Sequence, residues 1–69
     1  MSALDAKLLS AHARGDKSAL VTLYAEAADA ADDIDAACFY LTHAYIFGLE
    51  LGHADVPKLR ARLSEHGRV

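Results

Sequence analysis

The amino-acid sequence predicts an all-α protein built from four short antiparallel helices. Apolar residues recur at the i, i+3, i+4, i+7 spacing of helices, and no run alternates with the period of two that is typical of strands. Capping residues and glycines divide the chain at short intervals, so every predicted loop is short. Short loops place consecutive helices side by side and antiparallel. The 69 residues therefore predict one small helical domain, residues 1–69.

The first helix is predicted over residues 3–13. Ser2 is a suitable N-cap, and Asp5 follows three residues later, as in a capping box. Gly15 suits the left-handed conformation that commonly follows a helix end. These signals give the helix a defined start and a defined end.

The second helix is predicted over residues 17–31, with Asp16 as its N-cap. Its apolar residues follow the helical spacing closely. The alanine-rich half of this helix predicts close approach by a neighbouring helix. The apolar stripe consists of Leu20, Leu23, Tyr24, Ala27, Ala28 and Ala31.

The third helix is predicted over residues 36–51, between Asp35 as N-cap and Gly52 as its end. It is apolar almost all the way round, and such a helix needs cover on every side. One ridge of mostly small residues is expected to pack on the second helix. That ridge consists of Ala37, Leu41, Ala44, Gly48 and Leu51, and a separate sector holds Cys38, Tyr45 and Leu49.

An aromatic face lies roughly opposite the small ridge of the third helix. The rest of this short chain offers no obvious cover for that face. Because apolar side chains left in water forfeit free energy, the face predicts a partner, either a second copy in a homodimer or another protein. The predicted interface residues are Phe39, Tyr40, His43, Ile46, Phe47 and Glu50.

The fourth helix is predicted to begin after Asp55 and to end before Gly67. Pro57 is tolerated there because the first turn of a helix has spare N–H groups. The apolar stripe of this helix consists of Val56, Leu59 and Leu63.

Residues 18–51 resemble a tetratricopeptide-type (TPR-like) helical repeat, in which two antiparallel helices pair through small residues. The matching residues are Tyr24 and Ala25 at the Leu-Gly or Leu-Ala pair, Asp32 and Asp33 in the turn, and Ala37 and Ala44 at the small positions of the second repeat helix. The departures are Val21 for the usual Trp, Ala28 for the usual Tyr, Leu41 for the usual Phe and Leu49 for the closing Pro.

The resemblance implies a protein–protein interaction role, with the two outer helices as flanking half-repeats. Such repeats need about three copies to bury a continuous core. The resemblance therefore also implies self-association.

Composition limits the other ways in which so small a core can be stabilised. Cys38 is the only cysteine, so a disulfide within the chain is impossible, and a lone cysteine fits a reducing, cytoplasmic setting. No zinc-type spacing of Cys and His occurs. Because domains of this size usually need disulfides, a metal or oligomerisation, oligomerisation is the expected means.

Charge and hydropathy argue against two classes of partner. The net charge is −3, and the basic residues near the end of the chain lack interleaved aromatics, so nucleic acid is not expected. The first residues lack the apolar core of a signal peptide. The longest apolar run, residues 44–49, is far below the ~20 residues of a membrane span, so no membrane partner is expected.

No phosphate-binding loop, nucleophile elbow or zinc-protease motif occurs, so we expect no enzyme activity and no cofactor. Cys38 is expected to be a small buried hydrophobe, and the position of His12 near a helix end is explained by the helix dipole.

The alternative hypothesis is a regulatory protein that binds a small ligand or a metal. His43 and Glu50, two turns apart on one face, would then form the site with Tyr40, and two copies would double the ligand set.

Overall fold

Four helices make up the part of the chain that this computed structural model describes, residues 2–69. Met1, which the predicted domain 1–69 includes, lies outside the described residues. Residues 2–69 contain no strand, so the prediction of an all-α fold is confirmed. Each helix packs against the next one in the chain. The helices are α1 (Ala3–Arg14), α2 (Lys17–Ala30), α3 (Ile34–Leu51) and α4 (Val56–Glu65).

The starts of α1 and α2 follow the predicted capping pattern. The Oγ of Ser2 accepts a hydrogen bond from the N–H of Asp5 at 3.1 Å, and the Asp5 carboxylate accepts one from the N–H of Ser2 at 3.4 Å. Asp16 caps α2 by accepting from the N–H of Ala19 at 3.1 Å. These bonds satisfy N–H groups that have no partner within a helix. The predicted helix-ending glycines, Gly15, Gly52 and Gly67, have positive φ.

The start of α3 differs from the prediction. The helix begins at Ile34, two residues earlier than expected, and its N-cap is Asp33 rather than Asp35. Asp33 has an extended backbone, and its Oδ1 accepts from the N–H of Ala36 at 2.7 Å. Asp35 lies in the first turn, where its carboxylate pairs with Arg68. Two aspartates two residues apart gave equivalent cap signals, and only the backbone conformation distinguishes them.

Asp33→Ala is expected to lower the free energy of unfolding by about 1 kcal/mol, because it removes the only side-chain cap seen at the start of α3 among the described residues. Asp35→Ala is the matched control and should cost clearly less, because its carboxylate is 88% exposed. Urea unfolding of both variants measures the difference. A larger loss for Asp35→Ala would show that the cap has been assigned to the wrong residue.

Asp55 occupies the N-cap position of α4, as predicted, but its side chain makes no capping hydrogen bond. The backbone N–H of Asp55 instead donates to the Nδ1 of His53 at 3.0 Å. Pro57 lies in the first turn of α4, where its missing N–H costs nothing.

The core is formed by the pairing of α2 with α3, to which α4 adds two leucines. Arg62 of α4 reaches back to Asp29 of α2, with 2.6 Å between Nη2 and Oδ1. By contrast, α1 contributes one buried residue, Ala11. None of the buried side chains in the described chain is polar. The central cluster consists of Val21, Ala28, Cys38, Leu41, Ala44, Leu59 and Leu63.

The predicted small ridge of α3 is divided between two neighbours. Leu41 and Ala44 are fully buried in the core cluster, as expected. Gly48 does not face α2: a Cβ placed on it would lie 2.9 Å from the Cγ2 of Val56, at the start of α4. Leu51 is 45% exposed, because it is the last residue of α3 and the chain turns away at Gly52. The assignment of the whole ridge to α2 was therefore wrong.

The molecule is flat, with extents of 31 × 29 × 12 Å across its Cα atoms. The shortest dimension is less than two full layers of stacked helices would require. The helices therefore lie largely side by side and leave broad faces of the central pair open. Among the helices of residues 2–69, none combines the length and the apolar composition needed to cross a bilayer.

Candidate interaction surface

Three large apolar side chains lie exposed along one side of α3. Phe39 is 59% exposed, Ile46 49% and Leu49 54%. Thr42, also exposed, lies between them on the same side. Residues three and four apart share one side of a helix, and the successive steps of three, four and three match the seam of a coiled coil. We call Phe39, Thr42, Ile46 and Leu49 the α3 seam.

The hydroxyl of Thr42 does not interrupt the apolar character of the seam. Its Oγ1 donates to the backbone carbonyl of Cys38 at 2.7 Å, within α3 itself. A polar group that already has a partner can be covered without the penalty of an unpaired donor. The α3 seam can therefore be covered along its whole length.

Ion pairs lie near both ends of the α3 seam. Near its start, Arg68 donates to Asp35 at 2.5 Å. Near its end, Lys17 at the start of α2 donates to Glu50 at 2.5 Å. An apolar centre with a charged rim is the usual composition of a protein–protein contact surface.

The remaining aromatic residues of α3 are covered from within the chain. Tyr24 of α2 stacks on His43 and on Phe47, with ring centroids 5.1 and 6.0 Å apart, and lies 6.3 Å from Tyr40. His12 of α1 contacts both Tyr24 and Phe47 through ring edges. The expectation that the aromatic face lacks internal cover was therefore wrong for Tyr40, His43 and Phe47, which are half-buried. We call His12, Tyr24, Tyr40, His43 and Phe47 the aromatic cluster.

The polar link in the aromatic cluster joins α1 to α2. The Nε2 of His12 lies 2.8 Å from the Oη of Tyr24. Burial raises the pKa of the Tyr24 phenol above its ordinary value of 10.0, and the nearby phenol of Tyr40 adds to this effect. The phenol therefore keeps its proton at neutral pH and can donate it to the Nε2 of His12. Explaining His12 by the helix dipole alone missed this contact. The position of His12 directly after the buried Ala11 was the signal that could have indicated it.

Tyr24→Phe is expected to cost about 0.5–1.5 kcal/mol of stability, because it removes the hydrogen bond to His12 and keeps the stacked ring. Tyr45→Phe is the matched control, since Tyr45 is also half-buried and lies outside the aromatic cluster. Thermal unfolding of both variants gives the comparison. Equal losses would contradict a specific role for the bond.

The raised pKa of Tyr24 gives the same variant a signature in alkaline solution. The folded state holds the phenolic proton more tightly than the unfolded state does. The stabilising contribution is complete below pH 10.0 and is lost as the pH rises through the folded-state pKa. Tyr24→Phe should remove this part of the alkaline loss of stability, whereas Tyr45→Phe should retain it.

The structure does not bring His43 and Glu50 together as a site. The Nδ1 of His43 donates to the backbone carbonyl of Phe39 at 2.9 Å, and Glu50 is paired with Lys17. Seven residues of helix separate the two Cα atoms by about 10 Å. In the described chain, residues 2–69, no group of three His, Cys, Asp or Glu side chains is placed to hold a metal ion.

Two clefts border α1, and neither is built around the predicted site. A cleft of about 420 Å³ lies between α1 and α2, with Lys7, Arg14 and Leu23 among its lining residues. A second cleft, of about 300 Å³, has Asp5 and Tyr40 among its lining residues. His43 and Glu50 line neither of them.

Of the predicted interface residues, Phe39 and Ile46 lie in the α3 seam and Glu50 lies in its rim. Tyr40, His43 and Phe47 lie beside the seam in the aromatic cluster; Phe39 touches this cluster through His43, with ring centroids 4.5 Å apart. Thr42 and Leu49 were missed, although the 3-4-3 spacing from Phe39 would have found them. Cys38 is buried at 2% exposure, as expected of a packed thiol.

Comparison of the chain with protein families, with curated proteins and with solved structures finds no match.

Proposed function

We propose that this chain is a non-enzymatic protein–protein interaction module that self-associates through the α3 seam. The observation that carries the proposal is the line formed by Phe39, Ile46 and Leu49, each about half exposed or more on one side of the longest helix. Apolar patches of this kind on small domains are often contact surfaces.

The energetic argument concerns the apolar area that remains in water. Full burial of one large apolar side chain is worth about 1.5–3 kcal/mol, and about half of that is still to be gained at each seam position. Two copies would cover six such side chains. Against an association cost of at least about 4 kcal/mol, this favours a weak dimer rather than a tight one.

The surroundings of the α3 seam support the same function. The aromatic cluster packs beside the seam, and ion pairs lie near its two ends. The TPR-like pattern of residues 18–51 is typical of chains that act by binding proteins. The single, buried thiol of Cys38 supports a reducing, cytoplasmic setting for this activity.

Ile46→Glu is expected to weaken self-association at least about tenfold, because it places a charge in the centre of the α3 seam. Leu9→Glu is the matched control, because Leu9 is equally exposed (59%) but lies on α1, which is not part of the seam. Sedimentation equilibrium from low micromolar to high micromolar concentration measures the dimer, and circular dichroism checks that both variants remain helical.

The wild-type chain should form dimers at hundreds of micromolar, the upper part of this range, Leu9→Glu should match it, and Ile46→Glu should remain a monomer there. A wild-type monomer throughout the range would contradict the proposal. Equal weakening by Leu9→Glu would show that association uses another surface.

A further inference from the structure

We propose that the partner of the α3 seam is a second copy lying antiparallel to it, with Phe39 against the partner's Leu49 and Thr42 against the partner's Ile46. This inference rests on the proposed function and adds the orientation of the pair. The steps of three, four and three read the same in both directions along α3. Two antiparallel copies therefore bring every seam residue opposite a seam residue.

The sizes of the seam residues favour this orientation. A parallel pair would place Phe39 against its own copy and Thr42 against its own copy, giving one wide layer and one narrow layer. The antiparallel pair matches the largest side chain with a leucine and the smallest with an isoleucine. Helices pack evenly when large and small side chains face each other in this way.

The negative charge of Asp35, which lies in line with the α3 seam, also favours the antiparallel pair. Asp35 lies one seam step before Phe39, and its carboxylate is 88% exposed despite the bond to Arg68. In a parallel pair the two Asp35 carboxylates would meet at the same level, and like charges in contact oppose association. In the antiparallel pair they lie about 27 Å apart along the axis, by the rise of a helix.

The area of the contact agrees with a pair joined along the whole length of α3. The exposed parts of Phe39, Ile46 and Leu49 supply roughly 300 Å² per copy, about 600 Å² for the pair. A specific interface buries at least about 1,000 Å², so polar side chains beside the α3 seam must also be covered. A pair that covered only part of the α3 seam would fall below that limit.

Disulfide cross-linking distinguishes the two orientations. In the antiparallel pair, position 39 of one copy faces position 49 of the other, while the two copies of position 39 are about 15 Å apart along the axis. A disulfide needs Cα atoms within about 7 Å. The samples are Phe39→Cys, Leu49→Cys and their mixture, all in a Cys38→Ala background, with Lys58→Cys on α4 as the collision control.

We expect the mixture to give the 39–49 cross-link, identified by intact mass, several-fold above the Lys58→Cys control, and each single variant to stay near that control. Preferential cross-linking of Phe39→Cys with itself would overturn the antiparallel inference and leave the proposed function intact. Sedimentation of the wild-type chain and of the reduced Leu49→Cys chain accompanies the test. Monomers in both, without cross-links, would overturn the inference and the proposed function together.

Discussion

Replacing Gly48 with leucine is expected to lower the free energy of unfolding by about 1–3 kcal/mol or more, because the side chain would enter a packed contact. The first added atom alone would lie 2.9 Å from the Cγ2 of Val56, and 3.8 Å from both the Cβ of His53 and a methyl of Leu59. A chain of 69 residues has a total stability of roughly 3–10 kcal/mol, so the loss is a large fraction of it. Urea unfolding followed by circular dichroism measures the change.

Gly48→Ala, alone and combined with Val56→Ala, is the matched control. Alanine favours the helix by up to about 1 kcal/mol over glycine, so any loss on Gly48→Ala reports the contact with α4. Val56→Ala should recover that loss in the double variant. If the stability losses of Gly48→Ala and Val56→Ala simply add in the double variant, Gly48 and Val56 are not in contact.

Ala44→Leu is expected to cost a similar amount, about 1–3 kcal/mol, by overpacking against different neighbours. Ala44 is completely buried within the core cluster of the α2–α3 pair, where a longer side chain must displace its neighbours. Ala61→Leu is the matched control, since Ala61 is exposed on α4 and should change stability by no more than about 0.5 kcal/mol. Equal midpoints of thermal unfolding for the two variants would contradict the close packing at Ala44.

Helix ends were largely predictable, because their signals are local. Ser2 with Asp5, Asp16 and the glycine at position 15 act on backbone groups within a few residues, and the structure confirms them. The predicted start of α3 was wrong because Asp33 and Asp35 are both suitable N-cap residues. Only the backbone conformation, which is extended at Asp33, distinguishes the two.

The neighbours of each helix face were less predictable. The helical spacing shows which residues of α3 share a side, but not which element covers that side. Gly48 faces α4 because the turn at Gly52 folds the chain back over it. Tyr24 covers the aromatic side because α2 packs on α3, and His12 of α1 then contacts Tyr24. Both outcomes depend on contacts between residues distant in sequence, which one sequence read by its periodicity does not contain.

The flat arrangement of the helices has a consequence for folding and for motion. Because each helix packs mainly on the next, the contacts are close in sequence, and such low contact order favours folding in microseconds to milliseconds. A single layer also allows its outermost members to open separately from the centre. The helix with least to hold it is α1, with one buried residue. Its transient release would break the His12–Tyr24 bond and extend the exposed apolar area from the α3 seam across the aromatic cluster.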